Sequence, residues 1–202
     1  MEAQIFLMGG NPPIKNHTVV KKIVSSRKIE RIVIFTVYRE NWEPYMKKYT
    51  EVFQSQFPHL NTDYLLLDTE QIDFDSYLDA DVIIIGGGNT EKYLDTYVNQ
   101  QFKNYIDRML NKGAKVMGFS AGDLLLGEKV YVSPNDNADH QIKIKNGLGL
   151  FGRFLISVHY DSWNDKANKD RAEELDHVPI IPLNDHSCLV LDKLGNIIEK
   201  ID

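Results

Sequence analysis

Gly118-Phe119-Ser120-Ala121-Gly122 sets a serine between glycines at positions −2 and +2, the spacing of a nucleophile elbow. A strand that turns abruptly into a helix needs glycine on both sides of the turn, because side chains there would collide. The turn pushes the serine into a strained, exposed position at the helix N-terminus. There the backbone N–H of Ala121 can stabilise negative charge on a reacting oxygen. The plainer reading of these residues is a strand-to-helix turn capped by Ser120. A serine hydroxyl also needs a base within hydrogen-bond reach. Of six histidines, His159 ends the apolar run Phe154 to Val158, which gives it a rigid mount and an open tip. His186, in a loop with Asp185, is the second candidate. His17, His59, His140 and His177 fall in helical or loop context and read as solvated. A carboxylate must then orient the imidazole and stabilise its charged form. Asp185, in Leu183-Asn184-Asp185-His186-Ser187, and Asp136, in Ser133-Pro134-Asn135-Asp136-Asn137, could each serve, and each could equally be a turn former.

A second glycine-rich stretch, Gly86-Gly87-Gly88-Asn89-Thr90, follows an apolar run. Without side chains in the way, its backbone can approach a substrate closely, and Gly88 with Ala121 would supply two oxyanion donors. A phosphate loop is the competing reading, but neither GxxxxGK[ST] nor GxGxxG is present. No cluster has metal-ligand spacing, so neither a metal nor a cofactor is expected. The single cysteine, Cys188, lies in Ser187-Cys188-Leu189-Val190-Leu191 and reads as a small core residue. One cysteine forms no internal disulfide, which points to a reducing compartment, the cytoplasm.

These residues need strands to hold them. Ile5–Met8, Arg31–Thr36, Tyr64–Leu67, Asp81–Ile85 and Ala114–Phe119 are short apolar runs without polar alternation, as expected of strands covered on both faces. Between them, helices are expected from His17 to Ser26, from Pro44 to Phe57 and from Glu91 to Asn111. The second carries Tyr45, Tyr49, Val52 and Phe53 as a helical stripe that reads as core. Alternating buried strands and amphipathic helices predict an α/β domain with a mostly parallel sheet. In such a sheet ligands gather at the carboxyl ends of the strands. The triple glycine, Ser120 and His159 are all expected at such ends. After Gly127 the pattern changes: Tyr131 to Gly149 reads as loop, Asp165 to Leu175 as a charged surface helix, and Leu124-Leu125-Leu126 as a short one. The segments Ile180–Leu183, Ser187–Leu191 and Asn196–Ile201, with a turn at Leu194-Gly195-Asn196, suggest an antiparallel extension or hairpin.

At 202 residues the chain fits one domain with a proper core, and 43% hydrophobic with 26% charged residues suits a globular protein. A net charge of −6 argues against nucleic acid as a partner, because phosphate binding needs a basic footprint. No apolar run is long enough for a membrane span, and no signal peptide is visible.

Taken together, Gly86-Gly87-Gly88-Asn89-Thr90, Gly118-Phe119-Ser120-Ala121-Gly122 and a strand ending in His159 resemble the dipeptidase E family, serine peptidases related to aspartyl dipeptidase and cyanophycinase. The resemblance covers nearly the whole chain. It implies a three-layer α/β/α fold like that of class I glutamine amidotransferases, with serine where those enzymes use cysteine. It implies hydrolysis of short peptides, with Ser120 as nucleophile and His159 as base. The family's acidic residue before the late strand matches Asp185, where glutamate is the familiar residue. A loop Asn-Asp assigned a triad role matches Asn135-Asp136.

The sequence also departs from the family pattern. The residue after Ser-Ala-Gly is usually small, whereas here it is Asp123, whose carboxylate would disfavour the oxyanion or bind a substrate amine. Aspartyl dipeptidases carry a GETRxxR-like segment whose first arginine recognises the substrate aspartate. With Arg171 matched to the second arginine, Asn168 stands where the first would be, so strict aspartyl specificity is not expected. The expected function is a serine-type peptidase acting on small peptides through an acyl-enzyme. The chain would act as a monomer or small homo-oligomer, with Asn89, Asp123, Asn168 and Arg171 near the substrate. The rivals are a serine esterase or amidase, and a catalytically silent binding domain that keeps the cleft.

Overall fold

The computed structural model describes residues 2, 4–24 and 28–202. Its centre is a seven-stranded sheet built from β1 (Ile5–Met8), β2 (Arg31–Thr36), β3 (Asn61–Leu66), β4 (Val82–Ile85), β5 (Lys115–Phe119), β10 (Cys188–Leu191) and β11 (Ile197–Ile201), in the order β11-β10-β1-β5-β4-β2-β3. The pairs from β1 through β3 are parallel. β10 adds antiparallel to β1, and β11 antiparallel to β10. The late hairpin read from the turn at Leu194-Gly195-Asn196 is this pair. Gly195 takes φ +75°, and Asp192 receives the N–H groups of Leu194 and Asn196.

Helices cover both faces, because successive side chains of a strand point to opposite sides. In β4, Val82 and Ile84 join Met117 and Phe119 against α1 (His17–Val24) and α2 (Trp42–Gln54). Ile83 and Ile85 join Val33 and Phe35 against α3 (Thr90–Tyr97) and α4 (Gln100–Asn111). The result is a three-layer α/β/α arrangement. The apolar runs lack alternation because both faces are core. Full burial of each such side chain contributes about 1.5–3 kcal/mol.

Four expectations need correction. The helix foreseen from Glu91 to Asn111 is two helices. The chain leaves helical geometry at Val98 (ψ 77°), and Asn99 restarts it by accepting the Phe102 N–H at 2.9 Å. Such a side-chain cap is hard to tell from an ordinary helix-surface asparagine by pattern alone. Tyr131 to Gly149 is not all loop: β6 (Lys129–Val132) and β7 (Lys143–Asn146) pair antiparallel. β7, Lys-Ile-Lys-Asn, is too polar to announce itself as a strand. The Phe154–Val158 run forms β8 (Leu155–Ser157), which lies outside the main sheet and pairs in parallel with β9 (Ile180–Pro182). His159 therefore does not sit at a carboxyl end of the main sheet. Finally, the helix after Ser120 is the single turn α5 (Ala121–Leu124), with Leu125 and Leu126 beyond it. Of the helix expected over His17 to Ser26, the last two residues lie outside the described residues.

A small third core of Tyr131, Leu155, Ala172 and Ile180 fastens β6, β8 and β9 to α6 (Lys166–Asp176). Among the described residues, no helix is long and apolar enough to cross a membrane.

Candidate active site

Ser120 follows the last residue of β5 and has φ 52°, ψ −112°. A non-glycine residue holds such a conformation only when its surroundings over-determine it. Here they do. A Cβ on Gly122 would lie 2.2 Å from the carbonyl oxygen of Ile85, and one on Gly118 would lie 2.5 Å from Asp123 Oδ1. The elbow is thus pressed against the end of β4, and both flanking positions have room for glycine alone. The compression also brings the triple-glycine loop alongside: the Cβ position of Gly87 is 3.4 Å from Ser120 Cβ. The Gly87 N–H donates to Tyr49 Oη at 2.8 Å. The N–H groups of Gly88 and Ala121 have no hydrogen-bond acceptor among the described residues.

His159 comes to the serine from the separate β8 layer. Its N–H donates to the carbonyl of Gly9 at 2.7 Å, just past the end of β1, and its φ is 52°. The imidazole Nε2 is 3.0 Å from Ser120 Oγ, and Nδ1 is 2.6 Å from Asp185 Oδ1. The ring is buried at 8% exposure while Asp185 is 41% exposed. Trp163 lies against the imidazole with ring centroids 4.6 Å apart. Asp185 is held between the Ser162 hydroxyl, 3.4 Å from Oδ1, and Gly10, whose Cβ position would overlap the Asp185 backbone.

The other foreseen residues take various places. Asp136, the rival carboxylate, accepts from the Thr90 hydroxyl at 2.5 Å rather than from His159. It is half-buried, and burial pushes its carboxyl up to about 6, against the favourable influence of Thr90 and nearby His159. Asp123 is completely buried. Its Oδ1 accepts the Met8 N–H at 2.9 Å, and Oδ2 has no hydrogen-bond partner among the described residues. Burial pushes its carboxyl well above the ordinary range, which favours the neutral acid. Asp123 is therefore a prop beneath the elbow, inaccessible to a substrate amine. Asn89 caps α3 by accepting the Lys92 N–H at 2.8 Å. Asn168 donates to Asp165 at 3.0 Å, and Arg171 is exposed and paired with Glu174 at 2.9 Å. His186 is exposed.

Sequence reasoning missed Asp165. This fully buried carboxylate accepts from Tyr131 Oη (2.9 Å), Ser133 Oγ (2.5 Å), Ser157 Oγ (2.8 Å) and Asn168 Nδ2 (3.0 Å). It ties β6, the segment leading to Asp136, the strand β8 that leads to His159, and α6 to one point. In the sequence it begins a run that reads as a charged surface helix, which gives no sign of burial. Trp163 and the Gly9-Gly10 pair were also passed over, although two glycines after a buried strand signal close backbone approach.

A model of peptidase family S51, the dipeptidase E family, matches residues 15–197. The chain belongs to that family. It is accordingly a hydrolase, a serine peptidase. Among curated proteins none matches the sequence. Two solved structures are similar across nearly the whole chain. One is a protein from Listeria monocytogenes EGD-e assigned to peptidase E, with 18% identity, a TM-score of 0.71, and 98% of this chain and 97% of that one covered. The other is a peptidase from an acI-B1 Actinobacterium, also 18% identical, with a TM-score of 0.67 and 94% and 84% covered. At that identity the likeness is one of fold, and it agrees with the mostly parallel sheet flanked by helices.

Proposed function

We propose that this S51 serine peptidase hydrolyses short peptides through an acyl-enzyme on Ser120, with His159 as general base and Asp185 as its orienting carboxylate. The observation that carries the reading is the continuous line of contacts from Ser120 Oγ to His159 Nε2 (3.0 Å) and from His159 Nδ1 to Asp185 Oδ1 (2.6 Å). With Asp185 accepting from Nδ1–H, Nε2 carries the lone pair and is aimed at the serine proton. As Oγ attacks the scissile carbonyl carbon, its proton passes to Nε2, and the carbonyl oxygen becomes an oxyanion facing the N–H groups of Gly88 and Ala121. The C–N bond then breaks, and the leaving amine takes the proton from Nε2. Water then gives a proton to Nε2 and its hydroxide to the acyl carbon. The acyl C–Oγ bond breaks and Nε2 returns the proton to Ser120 Oγ, which releases the carboxylic acid and restores the serine. The burial of His159 beneath Trp163 supports this role, because a dry imidazole interacts more strongly with both partners. In this reading residues 1–202 act as one catalytic domain in the cytoplasm, as a monomer or small homo-oligomer. A fluorophosphonate probe tests it: stoichiometric labelling of the wild type and none of Ser120→Ala is expected. Labelling at another residue, or none at all, would refute it.

A further inference from the structure

Two buried tyrosines grip the triple-glycine loop from opposite faces of the sheet. Tyr49 reaches it from α2 and Tyr93 from α3, and both side chains are completely buried. Gly86 still belongs to the sheet, since its N–H donates to the Phe35 carbonyl at 2.9 Å. Gly87 is held by the tyrosines: its N–H donates to Tyr49 Oη at 2.8 Å, and Tyr93 Oη donates to its carbonyl at 3.4 Å. The rings press on the backbone. A Cβ on Gly86 would lie 2.9 Å from Tyr93 Oη and 3.1 Å from Tyr49 Oη, and one on Gly88 would lie 3.2 Å from Tyr93 Cε2. Consecutive glycines have no side chains to fix their own conformation, so neighbouring elements must supply the order.

The grip decides which way one peptide plane faces. The carbonyl of Gly87 and the N–H of Gly88 belong to a single planar trans peptide and point in opposite directions. With the carbonyl turned to Tyr93 in the core, the Gly88 N–H faces the open side of the loop. Gly87 is buried and Gly88 exposed, in keeping with that direction. Between two glycines the same peptide can turn over at little steric cost. The turned form would present a carbonyl oxygen to the oxyanion and replace attraction by repulsion. Holding Gly87 at its N–H by one hydroxyl and at its carbonyl by the other opposes that turn.

The tyrosines are themselves anchored. Thr36, the last residue of β2, has its Oγ1 3.0 Å from Tyr93 Oη, and its carbonyl accepts from Tyr97 Oη. Tyr49 lies edge-on to Phe119, the residue before Ser120, with ring centroids 5.0 Å apart. Its hydroxyl thus meets the glycine loop while its ring meets the strand that carries the elbow. Burial pushes both phenols up, Tyr93 to about 12, so both are neutral hydroxyls wherever His159 can act as a base.

We propose that Tyr49 and Tyr93 are positioning residues for the oxyanion site: their hydroxyls hold Gly87 so that the Gly88 N–H faces the reacting oxygen. The proposal rests on the serine mechanism above. Saturation kinetics with the fluorophosphonate probe test it, because the phosphonyl oxygen takes the place of the oxyanion. Loss of an oxyanion donor costs about 10²–10³ in rate, so Tyr93→Phe and Tyr49→Phe, which release the donor without removing it, should each lower the maximal labelling rate about tenfold or more. The half-saturating probe concentration should change by less than about threefold, and the pH midpoint of labelling, set by His159, should not move. Tyr97→Phe removes a hydroxyl from the same core without touching Gly87, and should label within about threefold of wild type. Equal slowing by Tyr97→Phe, a midpoint shift that accounts for the slowing, or a rate within about threefold of wild type for either Tyr49→Phe or Tyr93→Phe would overturn the proposal. Crystal structures give a readout that needs no reaction: the Gly87–Gly88 peptide should take one orientation in the wild type and be turned over or mixed in Tyr93→Phe. Should wild-type Ser120 stay unlabelled, the hydrolytic reading falls, and those structures decide the tyrosines alone. A turned or mixed peptide in Tyr93→Phe would then uphold their role, and an unchanged one would overturn it.

Discussion

Two carboxylates face the region of His159, and their surroundings divide their roles. Asp185 contacts Nδ1 directly at 2.6 Å, whereas Asp136 is bound to Thr90. Ser120→Ala is expected to lower kcat by on the order of 10³-fold or more while thermal unfolding stays close to wild type. The serine side chain packs no core, so only the chemistry should be lost. Residual activity within tenfold of wild type would reject Ser120 as nucleophile. Asp185→Asn removes the charge that stabilises an imidazolium and favours the wrong tautomer, so a loss of roughly 10²–10⁴ in kcat is expected. Asp136→Asn keeps an acceptor for Thr90 and should cost less than tenfold. A larger kcat loss for Asp136→Asn than for Asp185→Asn would reverse the assignment.

At the scale of elements, the site depends on β8 reaching across from its own small sheet to the end of β5. Hydrogen bonding more than sheet pairing secures this, because β8 is only three residues long and, among the described residues, pairs with β9 alone. Asp165 is the junction, with four donors from β6, the following loop, β8 and α6 converging on its two oxygens. Asp165→Ala strands those donors in a dry interior. The expected destabilisation is about 3 kcal/mol or more, a fall in Tm of roughly 6–12 °C for a chain of this size. Asp165→Asn, which keeps one acceptor oxygen, should recover part of it. Equal Tm values for wild type and Asp165→Ala in a calorimetric scan would show that β8 is held in some other way.

Over the whole molecule, the cleft is assembled from segments near residues 9, 87, 120, 159 and 185, and the sheet closes when β10 and β11 return from the end of the chain to β1. Drawing polar groups together in this way leaves a pH signature. Asp136 has its carboxyl pushed from 3.8 up to about 6 by burial. Between those values the folded chain holds a proton that the unfolded chain has released. Stability from this group is therefore full below about pH 4 and is lost as pH rises through 6. Asp136→Asn abolishes the titration. Relative to wild type, the variant should gain stability between pH 4 and 7, by an amount of order 1–3 kcal/mol. Chemical denaturation at pH 4, 5.5 and 7 measures the difference. A difference independent of pH would mean that Asp136 ionises normally in the folded state.

The strands and the elbow were legible in the sequence because each is decided locally. Ile5–Met8 and the 32–35 core of β2 are apolar at every position, and the bounds read from the pattern coincide with β1 and β2. Gly118 and Gly122 were readable for the same reason: a turn with no space for Cβ leaves a mark in the residues themselves. The family could be named from three such motifs in order. What the sequence left open depended on contacts between distant segments. Whether Asp185 or Asp136 meets His159 is settled by the approach of the β9–β10 loop to Gly10, a separation of more than 170 residues that no spacing rule encodes. Asp123, read as a charge beside the oxyanion, became a buried prop because Met8 needed an acceptor beneath the elbow. Asp165 reads in the sequence as part of a charged surface helix, but Tyr131, Ser133 and Ser157 converge on it. Local sterics and periodicity are written in neighbouring residues, but the partner of a polar group is chosen by the packing of the whole chain.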